Sequence, residues 1–287
     1  MSLFRRNASP KFAGVSLGLA GDEAALVWWD DADATWRQAV FPGGVQAMHH
    51  RLEALLDAEP GFGRRWRAGP MQVTVGDDLL RWWMVSPPAG ISSLAELEGF
   101  ARLRYEELHG SSLKGWVLRA RWFVSGASVC CALPASLVEG VRALKWRGAA
   151  RPQLIPASRR LLSHWRAPAR AAEQVVVCMS DEHRALLWWL AGGRPVRVRS
   201  LPVPASDPGA LLAAEIIRVR TGESSNQDVP LPVTVLQAGP STWRLDAPGL
   251  QVAHQDHPSL NNLSGSGATL AAWLGVKGGA DALVAGW

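Results

Sequence analysis

The sequence predicts an α/β fold in which one unit is built twice, and three observations carry that reading. Gly21-Asp22-Glu23-Ala24-Ala25-Leu26-Val27-Trp28-Trp29 returns in the second half as Ser180-Asp181-Glu182-His183-Arg184-Ala185-Leu186-Leu187-Trp188-Trp189. Each copy follows an apolar run (Ala13 to Leu19; Val175 to Met179) and precedes another β-like run (Trp36 to Phe41; Pro195 to Leu201). An apolar run, a tight acidic turn, a second run ending in a tryptophan pair and a third short run describe a three-stranded meander. Downstream of each meander, helical and strand patterns alternate, which is the signature of an α/β domain.

After the first meander, Gly43-Gly44 opens a helix over Val45 to Ala58, with Val45, Met48, Leu52, Leu55 and Leu56 near one face. Pro60-Gly61 reads as its end, and Met71 to Val75 as the strand that closes a β-β-β-α-β unit. A strand over Leu79 to Val85 stops at Pro87-Pro88. Ser92 or Ser93 then caps a helix to about His109, with Glu96 at the capping-box offset and Gly110 as its stop. Its apolar stripe is Leu94, Leu97, Phe100, Leu103 and Leu108. Strands over Trp116 to Val124 and Ala127 to Leu133, a helix over Ala135 to Trp146, and an extended Gln153-Leu154-Ile155 leading into a fourth helix complete the first half. Residues 167–172 (Ala-Pro-Ala-Arg-Ala-Ala) form the linker. Beyond it come the second meander, a helix from Pro208 to Arg220, a polar loop, strands at Val233 to Gln237 and Leu250 to Ala253, and a helix over Ala268 to Leu274.

At 287 residues the chain can bury one large core or two moderate ones. Mean hydropathy is +0.01, and no apolar stretch approaches the roughly 20 residues that cross a bilayer. No apolar segment follows Met1, so a cytosolic address is expected. The three cysteines (adjacent Cys130 and Cys131, and Cys178) lack any zinc spacing, and strand neighbours point to opposite faces, so no Cys130–Cys131 disulfide and no metal are expected, with at least one thiol in the core. Basic residues outnumber acidic ones, 30 to 25. Only Lys11, Lys114, Lys145 and Lys277 among them are lysine, and the arginines are dispersed apart from small clusters at 64–67 and 194–199. That pattern predicts a solvated basic surface, facing anionic lipid, over sequence-specific nucleic-acid binding.

The 15 tryptophans include the pairs Trp28-Trp29, Trp82-Trp83 and Trp188-Trp189, each inside a strand-like run. Neighbouring strand residues face opposite ways, and α/β sheets are covered on both sides, so both rings of each pair are expected to be buried. His49-His50 on a helix cannot face one metal, since neighbours stand about 100° apart. His254 and His257 flank Asp256 as solvated groups, and no nucleophile elbow or Walker loop is present.

The opening Met1-Ser2-Leu3-Phe4-Arg5-Arg6-Asn7, followed by Phe12-Ala13-Gly14-Val15-Ser16-Leu17-Gly18, resembles the start of PilM-type type IV pilus assembly proteins, in which a strand of pattern Gly-Ile-Asp-Ile-Gly follows a short basic segment. Val73 to Leu108, Val129 to Leu144, Leu154-Ile155-Pro156-Ala157 and the closing Ser264 to Leu274 resemble the same superfamily, which includes the cytoplasmic part of the type II secretion L component. The degenerate opening is similar to that of the equivalent protein of the mannose-sensitive haemagglutinin pilus system. The resemblance implies an actin-like fold, α/β with two ribonuclease-H-like domains related by duplication. On that frame the first domain covers residues 1–166 with an inserted subdomain around 79–124, and the second covers 173–287.

The departures from this pattern are informative. Actin-like ATPases carry an Asp on the first strand that organises Mg²⁺ and water, with backbone N–H groups of the following turn cradling phosphate. Here that position is Ser16, and Val177-Cys178-Met179 stands where the second meander would carry an acid and a glycine. Asp22, Glu23, Asp181 and Glu182 fall at the turn tips, where they would repel phosphate. The nucleotide site is thus expected in degenerate form only, at Ser16, Gly18, Gly265 and Gly267. No catalytic residue and no cofactor is expected, ATP with Mg²⁺ being the cofactor that the resemblance would otherwise imply.

The reading that follows is a cytoplasmic adaptor, peripheral to the bacterial inner membrane, in a type IV pilus or type II secretion platform. Its implied partner is the N-terminal cytoplasmic peptide of a small inner-membrane protein, seated in the inserted region with the helix around Tyr105 as a wall. Phe4, Arg5, Arg6, Arg81 and Tyr105 are the candidate partner-binding residues, and a second copy of the chain is a further candidate partner. An active ATPase or small-molecule kinase of the same fold is one alternative. A regulatory nucleic-acid binder, which requires a clustered basic face, is the other.

Overall fold

The computed structural model describes residues 14–30, 35–91, 93–122, 126–144, 146, 152–165, 173–179, 183–204, 206–223, 229–238, 243–256 and 267–277. The first unit opens with β1 (Val15–Ala20), β2 (Glu23–Asp30) and β3 (Thr35–Pro42). Helices α1 (Gly44–Ala58) and α2 (Pro60–Ala68) follow, then β4 (Met71–Val75). The meander is antiparallel, β4 returns parallel to β1, and β8 (Gln153–Pro156) extends the sheet to the order β3-β2-β1-β4-β8. In the second unit β9 (Glu173–Met179), β10 (Arg184–Ala191) and β11 (Arg194–Pro202) precede α6 (Pro208–Glu223), β12 (Leu231–Gln237) and β13 (Leu250–Asp256). Its order, β11-β10-β9-β12-β13, repeats the first with the same directions. The expected duplication is therefore present as two sheets of matching topology.

The first helix ends at Ala58 as expected, and Pro60 then starts a second helix, α2, which is not among the elements expected from the sequence. Proline suits the first position of a helix because its missing N–H would have no partner there and its φ is already helical. The break falls at Glu59, whose φ of −122° and ψ of 87° separate the two helices.

Between β4 and β8 lies the inserted subdomain. A single 3-10 turn, Asp77–Leu79, leads into β5 (Arg81–Val85), α3 (Leu94–His109), β6 (Trp116–Arg121), β7 (Ser128–Pro134) and α4 (Ala135–Ala143). Ser93 caps α3: its side chain accepts from the Glu96 N–H, while Glu96 accepts from the Ser93 N–H. Gly110 closes the helix with φ 64°. The small sheet has the order β5-β7-β6, so β7 pairs with both of its neighbours. The subdomain therefore runs to Pro134 and not to 124, because β5 and β6 are joined only through β7.

A second correction concerns the C-terminal helix, α7 (Gly267–Lys277). It packs on β1, β2 and β4 of the first sheet rather than within the unit formed by 173–287. Helix α5 (Ala157–His164) reaches the other way, to β9 and β12. The buried face of α7 (Ala268, Leu270, Ala271, Ala272, Trp273, Leu274) is matched by the absence of a side chain at Gly18. A Cβ on Gly18 would stand 2.0 Å from the Ala268 carbonyl oxygen and 2.2 Å from the Ala272 nitrogen. Helix and strand thus touch backbone to backbone.

The main core joins the two units. The face of the second sheet that carries Val176, Cys178, Trp188 and Leu236 is continuous with the core around β1, β2 and β4, while its other face packs on α6. Trp82 and Trp188 meet edge to face at 5.3 Å between ring centres. Five of the six paired tryptophans are buried as expected; Trp29 is half-buried, edge-on to Trp36 at 5.3 Å. All three thiols are buried and free. The 167–172 linker lies outside the described residues, and no helix among them is long and apolar enough to cross a membrane.

Candidate functional site

Two places gather polar groups. The first is the β1–β2 turn, where a nucleotide-binding relative of this fold would hold phosphate. Ser16 is fully buried, and its Oγ donates to the Ala272 carbonyl at 2.6 Å. The hydroxyl is thereby committed to α7. Gly18 is covered by the same helix. At the turn itself, Gly21 adopts φ +56°, a conformation that glycine takes without penalty. Its N–H donates to Asp78 Oδ2 at 2.5 Å. A Cβ on Gly76 would lie 2.4 Å from Asp78 Oδ1, so glycine there makes room for the carboxylate. Next to it, Asp77 is buried and accepts from the Ser158 N–H at 2.8 Å and the Ser158 hydroxyl at 2.7 Å. This caps the first turn of α5, whose N-cap residue, Pro156, has no side-chain hydrogen bond to offer. Arg160, also buried, donates from Nε to Thr74 Oγ1 at 3.0 Å, and burial pulls its pKa down to about 10.

Asp77, Asp78 and Arg160 were not legible as site residues. Asp77-Asp78 reads locally as a turn, and nothing in the chain announces that its carboxylates reach the β1–β2 turn and α5. Of the expected nucleotide-site residues, Ser16 and Gly18 come together beneath α7, Gly267 is the first residue of that helix, and Gly265 lies outside the described residues. Phe4, Arg5 and Arg6 lie outside them too, as do Asp181 and Glu182.

The second place is a cleft of about 570 Å³ between β5, the C-terminal end of α3, and β11. Its charged lining is Arg81, Arg104 and His109 from the insertion, with Arg184, Arg197 and Arg199 from the second unit. Among the described residues no carboxylate lines it. Leu80, Met84, Leu108 and Val196 supply apolar surface between the arginines, and Leu108 and Val196 stand about half exposed. Both flanking strands are sheet edges. Arg81 lays its guanidinium over the Trp116 ring at 5.6 Å. Arg184 donates to Ser200 Oγ at 3.1 Å. Arg104 pairs with Glu107 at 2.8 Å, and Arg199 with Glu215 at 2.5 Å, both carboxylates standing outside the lining. Burial, and secondarily the charge of Arg81, hold the His109 pKa below its ordinary value.

Arg81 thus lies in the cleft, whereas Tyr105 is buried behind it. The Tyr105 ring packs against Trp83 at 5.1 Å and His109 at 4.5 Å, so it supports the α3 wall without forming its surface. The arginines that look dispersed along the sequence are clustered by the fold. The 194–199 group is the β11 rim, and its counterparts Arg81 and Arg104 arrive from a different unit.

No protein-family model and no curated protein matches the chain. Solved structures do. The cytoplasmic domain of EpsL, an inner-membrane component of the type II secretion system of Vibrio cholerae, is similar with a TM-score of 0.52 at 14% identity, covering 95% of each chain. A Bacteroides thetaiotaomicron protein with an actin-like ATPase fold and unknown function is similar with a TM-score of 0.46 at 9% identity, over 80% of this chain and 82% of that one. With its paired sheets of matching order and the helices exchanged between them, the chain has the actin-like fold, two ribonuclease-H-like units related by duplication, in common with the EpsL cytoplasmic domain.

Proposed function

We propose that this chain is a cytoplasmic adaptor of a bacterial inner-membrane assembly platform, of the type II secretion or type IV pilus kind, that does not hydrolyse nucleotide. The observation that carries the second part is the Asp78–Gly21 hydrogen bond. A phosphate would need the N–H groups of that turn, and an internal carboxylate already takes one of them and opposes any second anion by charge repulsion. Ser16, on the strand that carries the Mg²⁺-organising Asp in actin-like ATPases, spends its hydroxyl on a helix carbonyl. The platform itself is supported by the likeness to the EpsL cytoplasmic domain along nearly all of both chains. Membrane association would come through a small inner-membrane partner, assisted by Phe4, Arg5 and Arg6 at the anionic surface.

Calorimetric titration of the full chain with ATP and Mg²⁺ tests the nucleotide part; no detectable heat is expected, and Mg²⁺-dependent micromolar binding would overturn it. Affinity capture from detergent-solubilised membranes tests the platform part. A small inner-membrane protein of the secretion or pilus assembly is expected in the eluate, and its absence would sink the adaptor reading.

A further inference from the structure

We infer that the arginine-lined cleft between β5, α3 and β11 is the seat of an acidic, extended segment of a partner protein, whose carboxylates meet the arginines and whose apolar side chains rest on Leu108 and Val196. The inference rests on the adaptor reading only in taking the occupant to be a partner protein. The charge argument is direct: five arginines and a histidine converge on one concavity, and no carboxylate is among its described lining residues. Guanidinium groups are the side chains best suited to carboxylates, which they engage through two parallel hydrogen bonds. Between them lie side chains that water solvates poorly, and a volume of about 570 Å³ falls within the range of natural ligand sites.

Other anions fit less well. A bilayer surface is flat and cannot follow a concave wall. A nucleic acid would bring bases that need aromatic faces to stack on, whereas Trp82 and Trp83 are 6% and 2% exposed and their rings are spent on Trp188 and Tyr105. An acidic chain with apolar residues between its carboxylates uses both the arginines and the apolar surface. The two walls also come from different units, so an occupant bridges the insertion and the second sheet. Binding would therefore hold the two in one relative arrangement.

The test uses the full chain and a short fluorescein-labelled peptide alternating glutamate with leucine, followed by anisotropy. Arg81→Glu and Arg197→Glu are each expected to weaken binding about tenfold or more, Leu108→Ser several-fold, and Arg142→Glu, on the exposed face of α4 away from the cleft, not at all. The affinity should fall with added salt, and a peptide with glutamine for glutamate should not bind. Hydrogen exchange with the peptide bound should slow on both β5 and β11. Loss of binding in none of the cleft variants, or equal binding of the glutamine peptide, overturns the proposal. So does anionic vesicle or oligonucleotide binding that responds to Arg81→Glu while the acidic peptide fails to bind. If Arg81→Glu and wild type capture the same membrane partner equally, the seat is wrong and the adaptor reading stands; if neither captures one, the adaptor reading falls on its own.

Discussion

Asp78 Oδ2 lies 2.5 Å from the Gly21 nitrogen, so a carboxylate from the β4–β5 connection occupies the amide of the β1–β2 turn. The proposed absence of nucleotide hydrolysis rests on this contact. The contact also ties the first meander to the start of the insertion.

Replacing Asp78 removes a charge-assisted hydrogen bond from a half-buried site. Asp78→Ala is expected to lower stability by about 1.5–3 kcal/mol, read as a shift in the urea midpoint at constant slope. It should not confer ATP binding, because Ser16 and α7 are unchanged.

Gly18 and Ser16 hold α7 by different means, and their variants should differ accordingly. Gly18→Ala places a methyl against backbone atoms that cannot move aside, and about 3 kcal/mol of destabilisation is expected, with the C-terminal segment becoming accessible to limited proteolysis. Ser16→Ala should cost only about 1 kcal/mol. Ser16→Asp, which restores the ATPase-like residue type, would bury an unpaired charge against the Ala272 carbonyl. It is expected to unfold the protein before it creates a Mg²⁺ site, as a thermal melt would show.

The Trp82–Trp188 contact joins the insertion to the second sheet. Trp82→Ala and Trp188→Ala should each cost about 3–5 kcal/mol. A double-mutant cycle should return a coupling of about 0.5–1.5 kcal/mol for the edge-to-face pair; zero coupling would mean that the two rings act independently.

Burial raises the Cys130 thiol from its ordinary 9.0 to about 12, and raises Cys131 and Cys178 as well, with the Asp77 charge adding to both. Because the folded values lie above the unfolded ones, the unfolded chain ionises first. Stability is intact below pH 9 and declines as pH rises toward the folded values, by up to about 1.4 kcal/mol per pH unit for each thiol. Urea midpoints measured from pH 8 to 10.5 should fall, and Cys130→Ala should flatten part of that fall. In native protein at pH 8 none of the three should react readily with iodoacetamide.

Removing a negative charge beside the cleft offers a further check on the basic cluster. Glu107 and Glu215 neutralise its rim through Arg104 and Arg199. Glu107→Gln should leave stability within about 0.5 kcal/mol, as exposed pairs contribute little, while raising the affinity of the cleft for an acidic peptide about two- to threefold in low salt.

The sequence by itself determined the duplication, the order of strands and helices, the Ser93–Glu96 capping box with its Gly110 stop, and the burial of most of the paired tryptophans and of at least one thiol. Those features are written in local periodicity, turn residues and capping spacing, which act over a few residues. Only the tertiary structure decided that Ser128–Pro134 is the middle strand of the small sheet, that α7 returns to the first unit, that Asp78 closes the β1–β2 turn, and that arginines of β11 face Arg81 across a cleft. Each of these brings together residues far apart in the chain, and their pairing is set by packing: a missing Cβ at Gly18, a space beside Gly76, two sheet edges that meet. Such complementarity belongs to surfaces that exist only after the chain has folded.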